Sequence, residues 1–392
     1  MRLRILLEPH HGATYAQILA LAQAAEEAGF DAFFRSDHYL GIDAGDLTYQ
    51  PTDSWTTLAG LAVQTSRVRI GTLVNASTFR LPGQLAVEVA TVDQMSGGRA
   101  ELGIGAAWYE REHQYFGIPF PALGERFDRL EEQLAILTGI WDTPPGQRFS
   151  FDGKFYQVTD CASIPRWASR PKIIIGGAGV KRTPTLAARY ADEFNGALGL
   201  ELTERYANFR RICEEVAGRD PAEVRLSATL PVAIGADTSD LERRLESLGE
   251  PGARLLAAGV TGDGDDVLRV LENLAAQGAD TVYFHVYGAG DVDHIHLLGS
   301  EVVSRVLSHR VARLPPFSLQ APRPDAGRLA LFGCVGAQWP GVKACLAGWM
   351  PAGWPSGTMK YVGQAIIRVG WPGFGSYLWL STKTALAFEV SS

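Results

Sequence analysis

Between residue 2 and about residue 309, short apolar runs alternate with longer stretches whose apolar positions recur every three to four residues. The first kind reads as strand and the second as amphipathic helix. Strands are predicted over 3–8, 32–35, 68–76, 99–106, 172–175, 193–198, 225–235 and 280–287. Helices are predicted over 15–28, stopped by Gly29, then 53–64 with Asp53 as cap, 83–95, 124–140, 183–191 and 203–217. Two helical segments follow between 239 and 277, and a last one over 292–311. The run 172–175 is almost wholly β-branched, as a strand buried on both faces should be. Eight strand–helix pairs in this order predict an α/β fold, a closed parallel (β/α)8 TIM barrel.

Two stretches depart from the rhythm. At 147–158, aromatic-rich segments flank Asp152-Gly153, which predicts a β-hairpin inserted before the fifth barrel strand. After about residue 311 the chain carries only two acidic residues, Asp325 and Glu389, against seven basic ones, and five of its nine tryptophans. Gly and Pro recur there without period. The expected organisation is a barrel over 1–310 and a loosely packed or poorly ordered extension over 311–392. The extension reads as appendage, as lid or partner-binding segment, or as an altered-frame extension.

Composition narrows the class. Hydrophobic residues make up 46% and charged residues 20%, which suits a globular protein with a large core. A formal net charge of -7 argues against a nucleic-acid partner. Cys161, Cys213, Cys334 and Cys345 are scattered without CxxC spacing, so neither a disulfide framework nor a cysteine metal site is expected, and a reducing cytoplasm fits. The chain has no apolar run of the roughly 18 residues a membrane span needs, and its start is too short in apolar residues for a signal peptide.

In a barrel of this kind the chemistry sits at the C-terminal strand ends. Strand two, Phe33-Phe34-Arg35, runs into Ser36, Asp37 and His38. Titratable groups at the end of a buried strand are costly unless they serve a site. Strand three ends in Asn75, Ala76 and Ser77, and strand four in Gly103-Ile104-Gly105-Ala106-Ala107-Trp108. The small residues from Gly103 to Ala107 leave room for a flat ring system across the mouth. Strand five ends in Gly176-Gly177-Ala178-Gly179, and Lys181, Arg182 and Thr183 open the next helix. Close backbone approach, helix N–H groups and two cations make a phosphate clamp; a tight βα turn is the simpler reading.

Other residues have plain structural readings. His38 alone could be a hydrogen-bonded loop histidine, Asp37 a cap or loop carboxylate, and Asn75 a polar strand end. His113, among Glu110, Arg111 and Glu112, reads as surface, and His285 as a satisfied barrel histidine. His294 and His296 do not share a helical face, which rejects a metal pair there; no metal site is expected. His10 and His11 rim the same mouth, with their role open. There is no GxSxG elbow, and no pair of strand-end acids suited to glycosidase chemistry stands out.

Three segments carry a family resemblance: AAEEAGFDAFFRSDHYL at 24–40, TSRVRIGTLVNASTFRLPGQLAVEVATVDQMSGGRAELGIGAAWYEREHQYFGIPFP at 65–121, and PKIIIGGAGVKRTPTLAARYADEFN at 171–195. They resemble the luciferase-like monooxygenase superfamily, most closely its coenzyme F420-dependent oxidoreductase branch. The resemblance implies a deazaflavin or flavin across the mouth, a small-molecule substrate and a homodimer. It implies Asp37 and His38 beside the ring. It also implies a bulge with a non-proline cis peptide near Val74, Asn75 and Ala76 behind the ring. It implies phosphate contacts at Gly176, Gly177, Gly179, Lys181, Arg182 and Thr183, and the small residues Ala106 and Ala107 are expected to contact the cofactor. Sugar-phosphate dehydrogenases of the family end strand four in a glycine–glutamate pair; here the stretch is Ala106-Ala107-Trp108, which argues against a sugar-phosphate substrate.

The expected function is F420-dependent hydride transfer, with His38 as the proton-handling residue and Asp37 orienting cofactor or imidazole. The alternatives are an FMN-dependent two-component monooxygenase and a non-catalytic cofactor-binding protein.

Overall fold

A computed structural model describes residues 1–42, 51–164, 170–249, 252–253, 257 and 259–312, together with four strands of the extension. The chain forms two compact units, Met1–His309 and Arg310–Ser392.

In the first unit, strands β1 (Arg2–Leu7), β2 (Ala32–Arg35), β3 (Arg69–Ala76) and β4 (Ala100–Gly105) pair in sequence order. The antiparallel hairpin β5 (Arg148–Asp152) and β6 (Gln157–Ala162) comes next, and the ring resumes with β7 (Lys172–Gly176), β8 (Glu193–Leu198) and β9 (Arg225–Ile234). A short β10 (Val260–Gly262), absent from the sequence expectation, adds to β9, and β11 (Thr281–Val286) closes the ring between β9 and β1. All the ring pairings are parallel. The hairpin turns through residues 153–156 rather than at Asp152-Gly153 alone. Glu132 anchors it by accepting from the N–H groups of Lys154, Phe155 and Tyr156 at 2.8, 2.9 and 3.0 Å.

Strand alternation builds two cores. Leu3, Ile5 and Leu7 face the helices, whose apolar stripes supply Ile18, Leu58, Leu85, Leu134 and Leu186. The opposite faces fill the barrel interior with Leu6, Phe34, Leu73, Ile174 and Tyr283. Below them lies a buried polar layer. Arg4 donates to Glu101 at 2.8 Å, Asp31 at 2.9 Å and the Tyr283 hydroxyl at 2.7 Å, and Tyr283 donates to Glu193 at 2.7 Å. Gly71 and Gly103 are required where they stand. A Cβ at Gly71 would meet the Phe34 ring at 2.7 Å, and one at Gly103 the Thr72 carbonyl at 2.1 Å.

The second unit has a four-stranded antiparallel sheet, Ala330–Gly336, Lys343–Trp349, Met359–Gly370 and Tyr377–Phe388, paired in sequence order. No helix among the described residues is long and apolar enough to cross a membrane.

Candidate active site

The parallel register delivers the site. Leu7 lies opposite Arg35 on one side and Val286 on the other, so Glu8 and Ser36 leave the ring side by side. The Ser36 N–H donates to the Leu7 carbonyl at 3.0 Å, carrying the pairing one step past the strand. His38 follows, with its side chain 18% exposed.

Its partner is Glu112, from the helix Glu110–Phe116 after β4. Glu112 is buried, and its oxygens lie 3.0 and 3.2 Å from His38 Nδ1; the same carboxylate accepts from the Tyr39 N–H at 3.0 Å. A carboxylate is acceptor-only, so Nδ1 carries the proton and Nε2 remains for a reacting partner. Burial acts to lower the His38 pKa. The Glu112 hydrogen bond and charge outweigh it, and the imidazole titrates above its ordinary 6.5.

Asp37 accepts hydrogen bonds from Arg80 rather than from the imidazole. Its fully buried carboxylate pairs with Arg80, at 2.6 and 3.3 Å. Arg80 also binds Asp53, the cap of helix Ser54–Gln64, and accepts no proton from Tyr39 but donates to its hydroxyl at 3.2 Å. Tyr39 in turn donates to Asp53 at 3.0 Å. This cluster ties the loop after β2 to the loop after β3.

Leu73–Val74 is a cis peptide, and the β3–β4 register shifts between Thr72 and Asn75. Val74 packs across the interior: Cβ atoms added at Gly103, Gly105 and Gly176 would meet its methyls at 3.2, 3.2 and 3.3 Å. The space those glycines leave is therefore filled by Val74, which forms a partly exposed apolar floor. Asn75 is buried, accepts from Trp55 Nε1 at 2.7 Å, and keeps Nδ2 without a partner among the described residues. Ala76 ends the strand, half-buried. Ala106 accepts from Arg126 at 3.1 Å, and Ala107 turns the chain with φ 62°. Trp108, 60% exposed, stacks on Tyr109 and meets the His38 ring edge-on at 5.6 Å.

Strand β7 lies next to β4, and the loop after it is held by side chains of the helix Thr203–Ile212. Arg205 donates to the carbonyls of Gly177 and Ala178 at 2.8 and 2.9 Å, and Asn208 to that of Val180 at 2.9 Å. Gly177 has φ 143°, and a Cβ at Gly179 would stand 2.6 Å from Thr183 Oγ1. Thr183 is buried and Lys181 exposed at the helix start. Arg182 departs from the expectation. Its guanidinium donates to the Gly124 carbonyl at 3.0 Å, pairs with Asp128 at 2.7 Å and lies over Phe127, because the helix Leu123–Asp142 runs alongside. A phosphate clamp here would use backbone N–H groups, Lys181 and Thr183.

His113 is also corrected: it is buried, donating from Nδ1 to the Tyr109 carbonyl at 2.7 Å and accepting the Thr78 hydroxyl at 2.6 Å. Residues 43–50, next to His38 in sequence, lie outside the described residues.

The residue that sequence reasoning missed is Glu112. The inward face of its short helix consists of Glu112 and His113, so no apolar period marks it as buried.

The sequence profile of the luciferase-like monooxygenase family matches residues 1–285. The chain is similar to an F420-dependent glucose-6-phosphate dehydrogenase of Microbacterium testaceum, 36% identical over 179 residues, 45% of this chain and 51% of that protein. It is similar to the pyrimidine monooxygenase RutA of Escherichia coli K12, 31% identical over 199 residues, 49% of each chain. The chain thus spans about half the length of these curated relatives. The fold matches that of the coenzyme F420-dependent tetrahydromethanopterin reductase of Methanopyrus kandleri with a TM-score of 0.62 at 19% identity, over 78% of this chain and 99% of that one.

Proposed function

As the chain belongs to the luciferase-like monooxygenase family, we propose that it is an F420-dependent oxidoreductase acting on a small organic substrate at the mouth of its barrel. The observation that carries this reading is the His38–Glu112 pair after β2, with the Val74 floor on the neighbouring β3 and the glycine loop after β7 further round the same end of the ring. An apolar floor, a polar anchor in Asn75 and a loop whose carbonyls are turned away toward Arg205 and Asn208 fit a planar cofactor with an anionic tail.

When bound, a deazaflavin accepts or delivers a hydride at C5. The residues of this chain do the rest. His38, held as the Nδ1–H tautomer by Glu112, takes or returns at Nε2 the proton that accompanies the hydride. Oxidation of an alcohol would balance with the deazaflavin supplying the hydride acceptor and neutral His38 taking the hydroxyl proton at Nε2. Val74, Asn75, Ala76, Ala106 and Ala107 line the ring position. Gly176, Gly177, Gly179, Lys181 and Thr183 take the phosphates, and the Asp37–Arg80 pair fixes the loop that carries His38. Trp108 and Tyr109 beside the imidazole favour a substrate with apolar surface over a sugar phosphate.

Similarity to RutA supports a second reading, reduced FMN with O₂. Parallel fluorescence titrations separate the two. The first reading expects saturable F420 binding at micromolar concentration and much weaker FMN binding; the reverse order, with substrate-dependent oxygen uptake, would select the second. Gly179→Val tests the clamp. A side chain driven against Thr183 should weaken F420 binding about tenfold, or about 1.4 kcal/mol, with little change in the thermal midpoint. Unchanged binding would remove that loop from the site.

We extend the reading to a cytoplasmic homodimer. Exposed Val63, Val87 and Met95, on the packed helices Ser54–Gln64 and Pro82–Ser96, offer apolar surface for a second copy.

A further inference from the structure

Glu8, His10 and His11 leave the C-terminal end of β1 within four residues, the histidines on the short 3-10 turn Pro9–His11. Glu8 Oε2 lies 3.7 Å from His10 Nε2 and 3.5 Å from His11 Nε2, and one ligand atom from each residue lies within 4.8 Å of the others. Ligands at about 2.0–2.1 Å around a tetrahedral ion stand roughly 3.3–3.4 Å apart. The Glu8 oxygen is thus within a few tenths of an ångström of that spacing from each imidazole.

A second observation is independent of that spacing. His10 is 1% exposed, and its Nε2 has no hydrogen-bond partner among the described residues. Its Nδ1 stands 3.1 Å from Ser36 Oγ. An imidazole donating from Nδ1 to that hydroxyl turns the Nε2 lone pair toward the site, the arrangement a ligating histidine takes from its outer partner. His285 Nε2, on β11, lies 3.4 Å from the same Glu8 oxygen, yet neither of its buried ring nitrogens has a hydrogen-bond partner among the described residues, so it is not the satisfied barrel histidine the sequence suggests.

We propose that Glu8, His10 and His11 bind one divalent transition-metal ion of the zinc type at the barrel mouth. Two imidazoles and one carboxylate suit a borderline ion; magnesium and calcium prefer all-oxygen sets, and soft ions prefer sulfur. Three protein ligands leave a position for water or for a substrate oxygen. The His10 and His38 rings are 5.1 Å apart, so an oxygen held there would lie close to the imidazole pair already described. The site stands or fails separately from the cofactor reading, because its test needs neither cofactor nor turnover.

The full chain, stripped with a chelator, is titrated with Co²⁺ and then with Zn²⁺. The expected result is one equivalent of Co²⁺ with the visible absorption of a four- or five-coordinate ion, displaced by Zn²⁺, and a thermal midpoint raised by Zn²⁺. Glu8→Gln and His10→Ala should each lower Zn²⁺ affinity about a hundredfold or more, and Ser36→Ala about tenfold. His296→Ala, at an exposed position on the outer helix Val292–Leu298, should match the native chain. Circular dichroism checks that each variant is folded, and Glu8→Gln decides if His10→Ala is not. Absence of a saturable Co²⁺ band, or a band that survives Glu8→Gln, overturns the proposal.

Discussion

Arg4→Met destabilises the barrel by about 3–5 kcal/mol at neutral pH, because it strands buried carboxylates without their main counter-charge. Arg4, Glu101 and Glu193 are almost completely buried. Burial alone would raise the Glu101 pKa, yet the charges of Arg4 and Arg69 draw it down to about 2 from an ordinary 4.5. A folded-state pKa below the unfolded one contributes stability above about pH 4.5, lost as pH falls toward 2. In the variant much of that contribution is gone, so the deficit relative to the native chain should shrink as the pH drops below 4.5. Arg4→Met/Glu101→Gln/Glu193→Gln removes the stranded charges with the guanidinium and should recover most of the loss. Urea unfolding midpoints across pH check both outcomes. A single variant within about 0.5 kcal/mol of native at pH 7 would show that the layer is solvated or rearranges freely.

That layer also shows where sequence reading stops. The ring was legible because its strands are short apolar runs broken by glycine and polar residues, and 172–175 and 280–287 could hardly be anything else. Arg4 looks like the solvent-facing member of an alternating strand. It faces inward because, in a closed barrel, the face opposite Leu3 and Ile5 is the interior. Arg99 is similar: its guanidinium satisfies the carbonyls of Ala62, Thr65, Val68 and Ser96, a role that appears only when those chain ends converge.

The site divides along the same line. Ser36, Asp37, His38 and the glycine loop could be singled out from their strand ends, and the β3 bulge from resemblance. Their partners come from distant positions: Arg80 for Asp37, Glu112 for His38, Arg205 for the loop carbonyls. Arg182 seemed a phosphate ligand by adjacency in sequence. Asp128, 54 positions upstream and beside it in space, takes its charge instead.

The pairing of Glu112 with His38 has the largest expected effect on turnover. On the proposed mechanism His38→Ala removes the group assigned to proton transfer and should lower kcat about a hundredfold to ten-thousandfold, while affinity for the proposed F420 changes little. Glu112→Gln keeps the size of the side chain and removes its charge. Burial of His38 then acts with less opposition, so the imidazole should titrate at lower pH than in the native chain. The His38 resonance in an NMR pH titration reads this directly, without a substrate, and the His38-dependent limb of the kcat profile should move the same way. Stability carries the same sign. A histidine whose folded pKa is raised contributes stability that is fully present below about 6.5 and disappears as pH rises through the folded value, so Glu112→Gln should be most destabilised, relative to native, on the acid side of neutrality. An unmoved His38 titration in Glu112→Gln would mean that the carboxylate does not govern the imidazole, and an unchanged kcat in His38→Ala would mean that the proton passes through another group at the mouth.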